Sequence, residues 1–186
     1  MKKTKNKKIM KNKIAQVWVE TVIYTLIGLV IIGILLALVM PQIEKMKDRA
    51  VLKQTIDAFD LIDKKINDVE QSVGSIGKVD FKLSKGTFLI DGNINKLIYT
   101  LENTRLEFSE VGSSINEGNL IIETEKHGSR FNVKITRNYT SSLDLLFENL
   151  DQSKLIQPGP SPYKIYMENK GQFAIDTLTR IDFTIG

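Results

Sequence analysis

The sequence predicts an α+β protein, in which one long N-terminal helix packs against a C-terminal antiparallel β-sheet or small β-sandwich. The first half of the helix is membrane-spanning and the second half amphipathic. Three observations carry this reading. Thr21 to Met40 is a run of twenty residues without a charge, about the length a helix needs to cross a hydrocarbon layer of roughly 30 Å. From Leu52 to Val73 apolar residues recur at helical spacing. Beyond Gly77 the period falls to two, with turn residues between the apolar runs, which is the signature of strands and hairpins.

The first element is a short leader, residues 1–15. Its seven lysines, Lys2, Lys3, Lys5, Lys7, Lys8, Lys11 and Lys13, outweigh the net charge of +4 on the 186-residue chain, so everything after them is net negative. Concentrated there, the basicity fits the positive-inside rule and predicts a cytoplasmic N-terminus. It removes the support for nucleic-acid binding, which would call for a basic surface on the folded part. The chain has no cysteine, which excludes disulfides, thiol catalysis and cysteine-ligated metals. A secretory signal places its small residue after the apolar core. Here Ala15 precedes it and PQIEKMKDRA beyond Met40 offers no A-x-A pattern, so the apolar segment is expected to stay on the mature protein.

The second element, residues 16–40, is the apolar helix. Glu20 stands at its mouth. A carboxylate beside lipid costs a few kcal/mol on insertion scales, so it needs either an escape to the interface or a dedicated partner. These residues carry a family resemblance. KNKIAQVWVE resembles the class III leader of archaeal type IV pilins, in which a Lys-rich leader ends in a small residue, a prepilin peptidase cuts before Gln, and a Glu follows at the fifth mature position. The matching residues are Ala15, Gln16 and Glu20. Archaellins share the leader but generally lack the Glu. The likeness covers about residues 7–40.

What the resemblance implies is a structural subunit, processed before Gln16 and assembled through its apolar helix into a homo-oligomeric helical filament on the cell surface. It also implies three partners, a prepilin peptidase, an assembly ATPase and a membrane platform protein, with the membrane itself holding the precursor. Physical chemistry gives Glu20 a role in such a filament. Cleavage would leave an α-amino group at Gln16, mostly cationic at pH 7, four residues from Glu20 on one helical face. A neighbouring subunit's amine would complete the pairing and set axial register, a use of buried charge better founded than net stability. The alternative is that Glu20 snorkels to the interface of a plain membrane anchor.

The third element, residues 41–74, is the amphipathic stem. Pro41 removes the N–H that would bond Ala37, which predicts a kink or loosening. The stripe Leu52, Ile56, Phe59, Ile62, Ile66, Val69, Val73 faces the head, Asp60 and Lys64 pair on the outer side, and the helix stops near GSIG at 74–77.

The fourth, residues 75–186, is the head. Val79 to Leu83, Thr87 to Ile90, Leu97 to Leu101, Leu106 to Val111, Leu120 to Glu125, Phe131 to Ile135, Leu143 to Phe147, Tyr163 to Met167 and Gln172 to Asp176 read as strands. Their turns fall at Lys85-Gly86, Asp91-Gly92, His127-Gly128 and Asn169-Lys170-Gly171. No internal repeat is apparent.

Several motifs also have plainer readings. QPGPSPY, residues 157–163, is a stiff extended connector, either a strand-to-strand loop or an exposed contact. Asn138-Tyr139-Thr140 is a sequon, which makes Asn138 a possible glycosylation site. GSIGK at 74–78 lacks the length and the Ser/Thr of a phosphate-binding loop. A lone His127 gives neither a triad nor a histidine-rich metal site. Asp57, Asp60 and Asp63, beside Lys53, Lys64 and Lys65, read as a solvated helix face. Gly28 and Gly33 miss GxxxG spacing and are read as allowing close packing or local unwinding. No catalytic constellation, cofactor or enzyme activity is expected. The competing readings are a minor pilin or pseudopilin, and an unprocessed single-pass binding or sensory protein.

Overall fold

The computed structural model describes the backbone of residues 4–172 and 177–186, and side chains from Val17 onward within those ranges. The chain divides into two compact units, residues 1–43 and 44–186. Helix α1 (Thr4–Glu70) begins in the first and ends in the second, and it runs through Pro41 without a break. The one backbone hydrogen bond that proline removes does not interrupt the helix.

The second unit is built around residues 44–70 of α1. Leu52, Ile56, Phe59, Ile62, Ile66 and Val69 are all buried, so the spacing of three and four puts one face of the helix into the core. Ten strands follow: β1 (Ile76–Phe81), β2 (Thr87–Asp91), β3 (Lys96–Thr104), β4 (Ser114–Glu117), β5 (Leu120–His127), β6 (Arg130–Asn138), β7 (Leu143–Phe147), β8 (Ser153–Ile156), β9 (Tyr163–Gly171) and β10 (Thr179–Ile185). They form a four-stranded sheet in the order β1-β9-β10-β7 and a six-stranded sheet in the order β4-β5-β6-β3-β2-β8. The six-stranded sheet is antiparallel throughout. In the other sheet β7 and β10 run parallel.

Helix and sheets meet in an aromatic cluster. The Phe59 and Phe88 rings cross edge to face at 5.5 Å between centroids, and Phe81 lies 4.7 Å from Phe88. Phe81 belongs to the four-stranded sheet and Phe88 to the six-stranded one, so three rings join all three layers. Gly77 lets β1 approach the helix, because a Cβ there would lie 2.5 Å from Lys65 Cγ and 2.9 Å from Val69 Cγ1.

The helix ends at Glu70, earlier than the glycines at 74–77 suggest. Its last carbonyls are capped from strand β9. Asn169 is buried, and its Nδ2 donates to the carbonyls of Val69 and Glu70, both at 3.0 Å. Two acceptors that a helix end leaves open are thereby satisfied. Val73 consequently lies beyond the helix and is 75% exposed, off the stripe where its spacing had put it. The surface ion pair on this helix is Lys65–Asp68 at 3.0 Å, not Asp60–Lys64.

Among the strands, Leu106–Val111 is a loop. Side-chain hydroxyls take up its backbone donors: Leu106 N–H donates to Thr104 Oγ1 at 3.0 Å and Ser109 N–H to Thr124 Oγ1 at 2.9 Å. Such local bonds compete with a ladder. Asn169-Lys170-Gly171 is the end of β9 rather than a turn. The expected strand Gln172–Asp176 lies outside the described residues from 173 to 176. Strands β4, β8 and β10 were not anticipated.

Candidate functional site

In the first unit every large apolar side chain from Val17 to Met40 is exposed, between 44% and 73%. The apolar residues follow one another without helical spacing, so no side of the helix is polar enough to be its water face. The segment is long and apolar enough to cross a membrane. Its polar groups are few and near its start. Thr21 Oγ1 donates to the Val17 carbonyl at 2.9 Å, and Thr25 Oγ1 to the Thr21 carbonyl at 2.8 Å. Tyr24 Oη lies 3.4 Å from Glu20 Oε1 and donates to it. Ala15 and Gln16, the expected cleavage pair, lie on α1, but their side chains are outside the described residues. Gly28 and Gly33 sit in unbroken helix, and nothing lies within 4 Å of a Cβ built on either. The unwinding considered for them does not occur.

In the second unit the sequon closes β6. Asn138 is exposed, and its Oδ1 accepts the Thr140 N–H at 3.0 Å and lies 2.7 Å from Thr140 Oγ1. Between them Tyr139 turns inward. It is 2% exposed, and its hydroxyl donates to Asp63 Oδ1. Arg137 Nε donates to the other oxygen of Asp63 at 2.7 Å, and the guanidinium carbon stands 4.5 Å from the Tyr139 ring centroid. Burial first, then the Asp63 charge, pushes the Tyr139 phenol above its ordinary range. Asp63 is therefore no solvated carboxylate: it ties the helix to the end of β6. Sequence spacing carried no signal for that tie, because its partners lie 74 and 76 residues away. The Tyr24 contact did have one, the i to i+4 interval.

A cleft of about 640 Å³ is lined by Glu44, Lys47, Asp48, Lys85, Asn103 and Arg130, among others. Four of its charges, Glu44, Asp48, Lys85 and Arg130, are paired, while Lys47 and Glu102 are exposed. Asp48, only 4% exposed, bonds Lys85 Nζ at 2.5 Å and the Thr104 hydroxyl. Glu44 Oε2 lies 2.6 Å from Arg105 Nε and 3.5 Å from Arg130 Nη1. Among the described residues no buried side-chain nitrogen or oxygen lacks a hydrogen-bond partner, and no group of three metal-ligating side chains is present. These pairs hold the walls of the cleft together. His127 ends β5, exposed, in the tight turn to β6 with Gly128 at φ +62°. The proline-rich loop is stitched down. Gly159 N–H donates to the Leu83 carbonyl at 3.1 Å, Lys82 Nζ bonds the carbonyls of Gly159 and Pro160, and Tyr163 Oη donates to the Gln157 carbonyl at 2.9 Å. It is a strand-to-strand loop held against the head.

The fold defines a class: an α+β chain whose N-terminal helix carries an exposed apolar stretch from Val17 to Met40 and ends as the core helix of a two-sheet head. Compared with models of protein families, with curated proteins and with solved structures, the chain matches none.

Proposed function

We propose that the chain is a prepilin: a structural subunit held in the membrane by its apolar helix, cut between Ala15 and Gln16, and polymerised through that helix into a surface filament with heads outward. The observation that carries the reading is the joining of two surfaces of opposite kind. The head satisfies its own polar groups and buries its own core, while Val17 to Met40 leaves all its apolar side chains for something else to cover. Lipid covers them in the precursor and sister helices cover them in the filament. Helices leaving lipid for one another gain from close packing and polar pairing rather than from the hydrophobic effect, so the lone carboxylate at Glu20 acquires its importance. Exposed Asn138 is available as a glycan acceptor.

The test is the mass of the mature chain and the fate of a charge-removing variant. The mature chain is expected to begin at Gln16, and Glu20→Gln is expected to accumulate as cleaved membrane-bound subunit without filaments. Retention of Met1 would leave a plain membrane anchor. Filaments of normal number in the variant would remove the pairing role. A subunit found only in traces in purified filaments would be a minor pilin.

A further inference from the structure

The polar groups of the apolar helix are gathered on one side. Glu20, Tyr24 and Gly28 follow at intervals of four with Thr21 and Thr25 beside them, an arc of about 140° at 3.6 residues per turn. The two threonines are engaged with their own helix, through the bonds to the Val17 and Thr21 carbonyls. This is how a hydroxyl sits in an apolar helix without an outside partner, and it leaves neither threonine to orient a carboxylate. Tyr24 differs. Long side chains on a helix lean toward its N-terminus, so the phenol reaches back one turn and its Oη comes to 3.4 Å from Glu20 Oε1.

Direction gives that contact its meaning. The same lean carries Glu20 toward the lysine-rich end of the helix, the direction in which a carboxylate snorkels out of lipid. A donor approaching from the C-terminal side opposes the escape. We propose that Tyr24 is a positioning residue: it holds the Glu20 carboxylate against the helix so that a second copy of this chain, docking on this side, meets a fixed acceptor. The inference rests on the filament reading. An ionised carboxylate has about four acceptor positions and a tyrosine hydroxyl fills one, so the rest stay open to the neighbour's N-terminal amine. One turn beyond Tyr24, Gly28 has no side chain, and a residue that small lets a second helix come close.

The experiment uses the full chain, expressed in cells lacking their own copy, with sheared filament measured per cleaved membrane-bound subunit. Tyr24→Phe keeps the ring and loses only the hydroxyl, and is expected to lower the ratio about two-fold, the effect of a long hydrogen bond at the weak end of the usual range. Thr25→Val, which removes a hydroxyl already engaged within its own helix, is expected to stay at the wild-type ratio. If Tyr24→Phe assembles like wild type, the positioning role is overturned while the filament reading stands. If both variants fall equally, the general polarity of this side matters and Tyr24 has no special part, which also overturns the proposal. If the wild-type chain itself makes no filament, the filament reading fails first and the inference falls with it.

Discussion

Residues 17–40 and 52–69 are stretches of the same helix, rich in the same aliphatic side chains, and their fates are opposite. In the first the apolar residues are contiguous and all exposed. In the second they come at intervals of three and four, and the six that define the stripe are all buried by the chain's own sheets. The kinds of apolar side chain do not distinguish the two stretches; their density and spacing do. A stripe can be covered by two sheets on one side while water takes the other. A helix apolar all round has no side to give to water and must be covered by something outside the chain.

The sharpest way to break this contrast is Ile62→Asp. Ile62 is fully buried in the middle of the stripe, and an unpaired charge there is expected to cost about 4 kcal/mol or more. In thermal melts of residues 44–186 followed by circular dichroism, that lowers the midpoint by about 10 °C or more. An unchanged midpoint would mean that the stripe is not the core. A somewhat smaller effect is expected in the other stretch. Ile31→Arg places a charge mid-segment, at a penalty of about 3 kcal/mol for insertion. Alkaline extraction of membranes is expected to release the variant while the head melts as before; wild-type retention would show that lipid is not what covers this stretch.

The smallest expected effect lies in alkali. Burial, foremost, holds the phenols of Tyr99 and Tyr139 above their ordinary range in the folded head, and beside Tyr139 the Asp63 charge adds to it. A group raised on folding keeps its full contribution below its unfolded value, about 10 for tyrosine, and loses it as the pH climbs toward the folded value. Denaturant unfolding of the head is expected to weaken above pH of about 10, and Tyr139→Phe to fall less steeply there. Equal slopes would mean that Tyr139 ionises as freely in the folded head as in the unfolded chain.

What could be read in advance follows the same division. The contiguous run, the helical stripe and the strands with clean alternation, such as Phe131, Val133 and Ile135, are local patterns, and the last of these falls inside β6. Strand β4 was illegible because all four of its residues are exposed, so it has no alternation to read. Strand β10 was legible and went unread: Ile181, Phe183 and Ile185 alternate with Arg180, Asp182 and Thr184. What no spacing shows is that Asp182, on the polar row, is buried. Its carboxylate accepts the Asn149 N–H at 2.7 Å, a partner no local window contains. The helix stop was misplaced because Asn169 supplies the cap from a hundred residues away. At the candidate site Glu20 was conspicuous, being the one charge beside the apolar run. Its tie to Tyr24 needed a side-chain direction as well as a spacing.

The order β1-β9-β10-β7 also sets a timetable. Strand β10 is made after every other strand described, yet it lies inside its sheet, with β9 on one flank and β7 on the other. However the chain emerges, N-terminus first, β7 and the β1–β9 pair must wait with unpaired edges until residues 179–185 are free to slot between them. Open edges of this kind invite pairing with other chains. A chain cut short before Thr179 would leave a gap one strand wide in that sheet, with the edges of β7 and β9 open on either side of it.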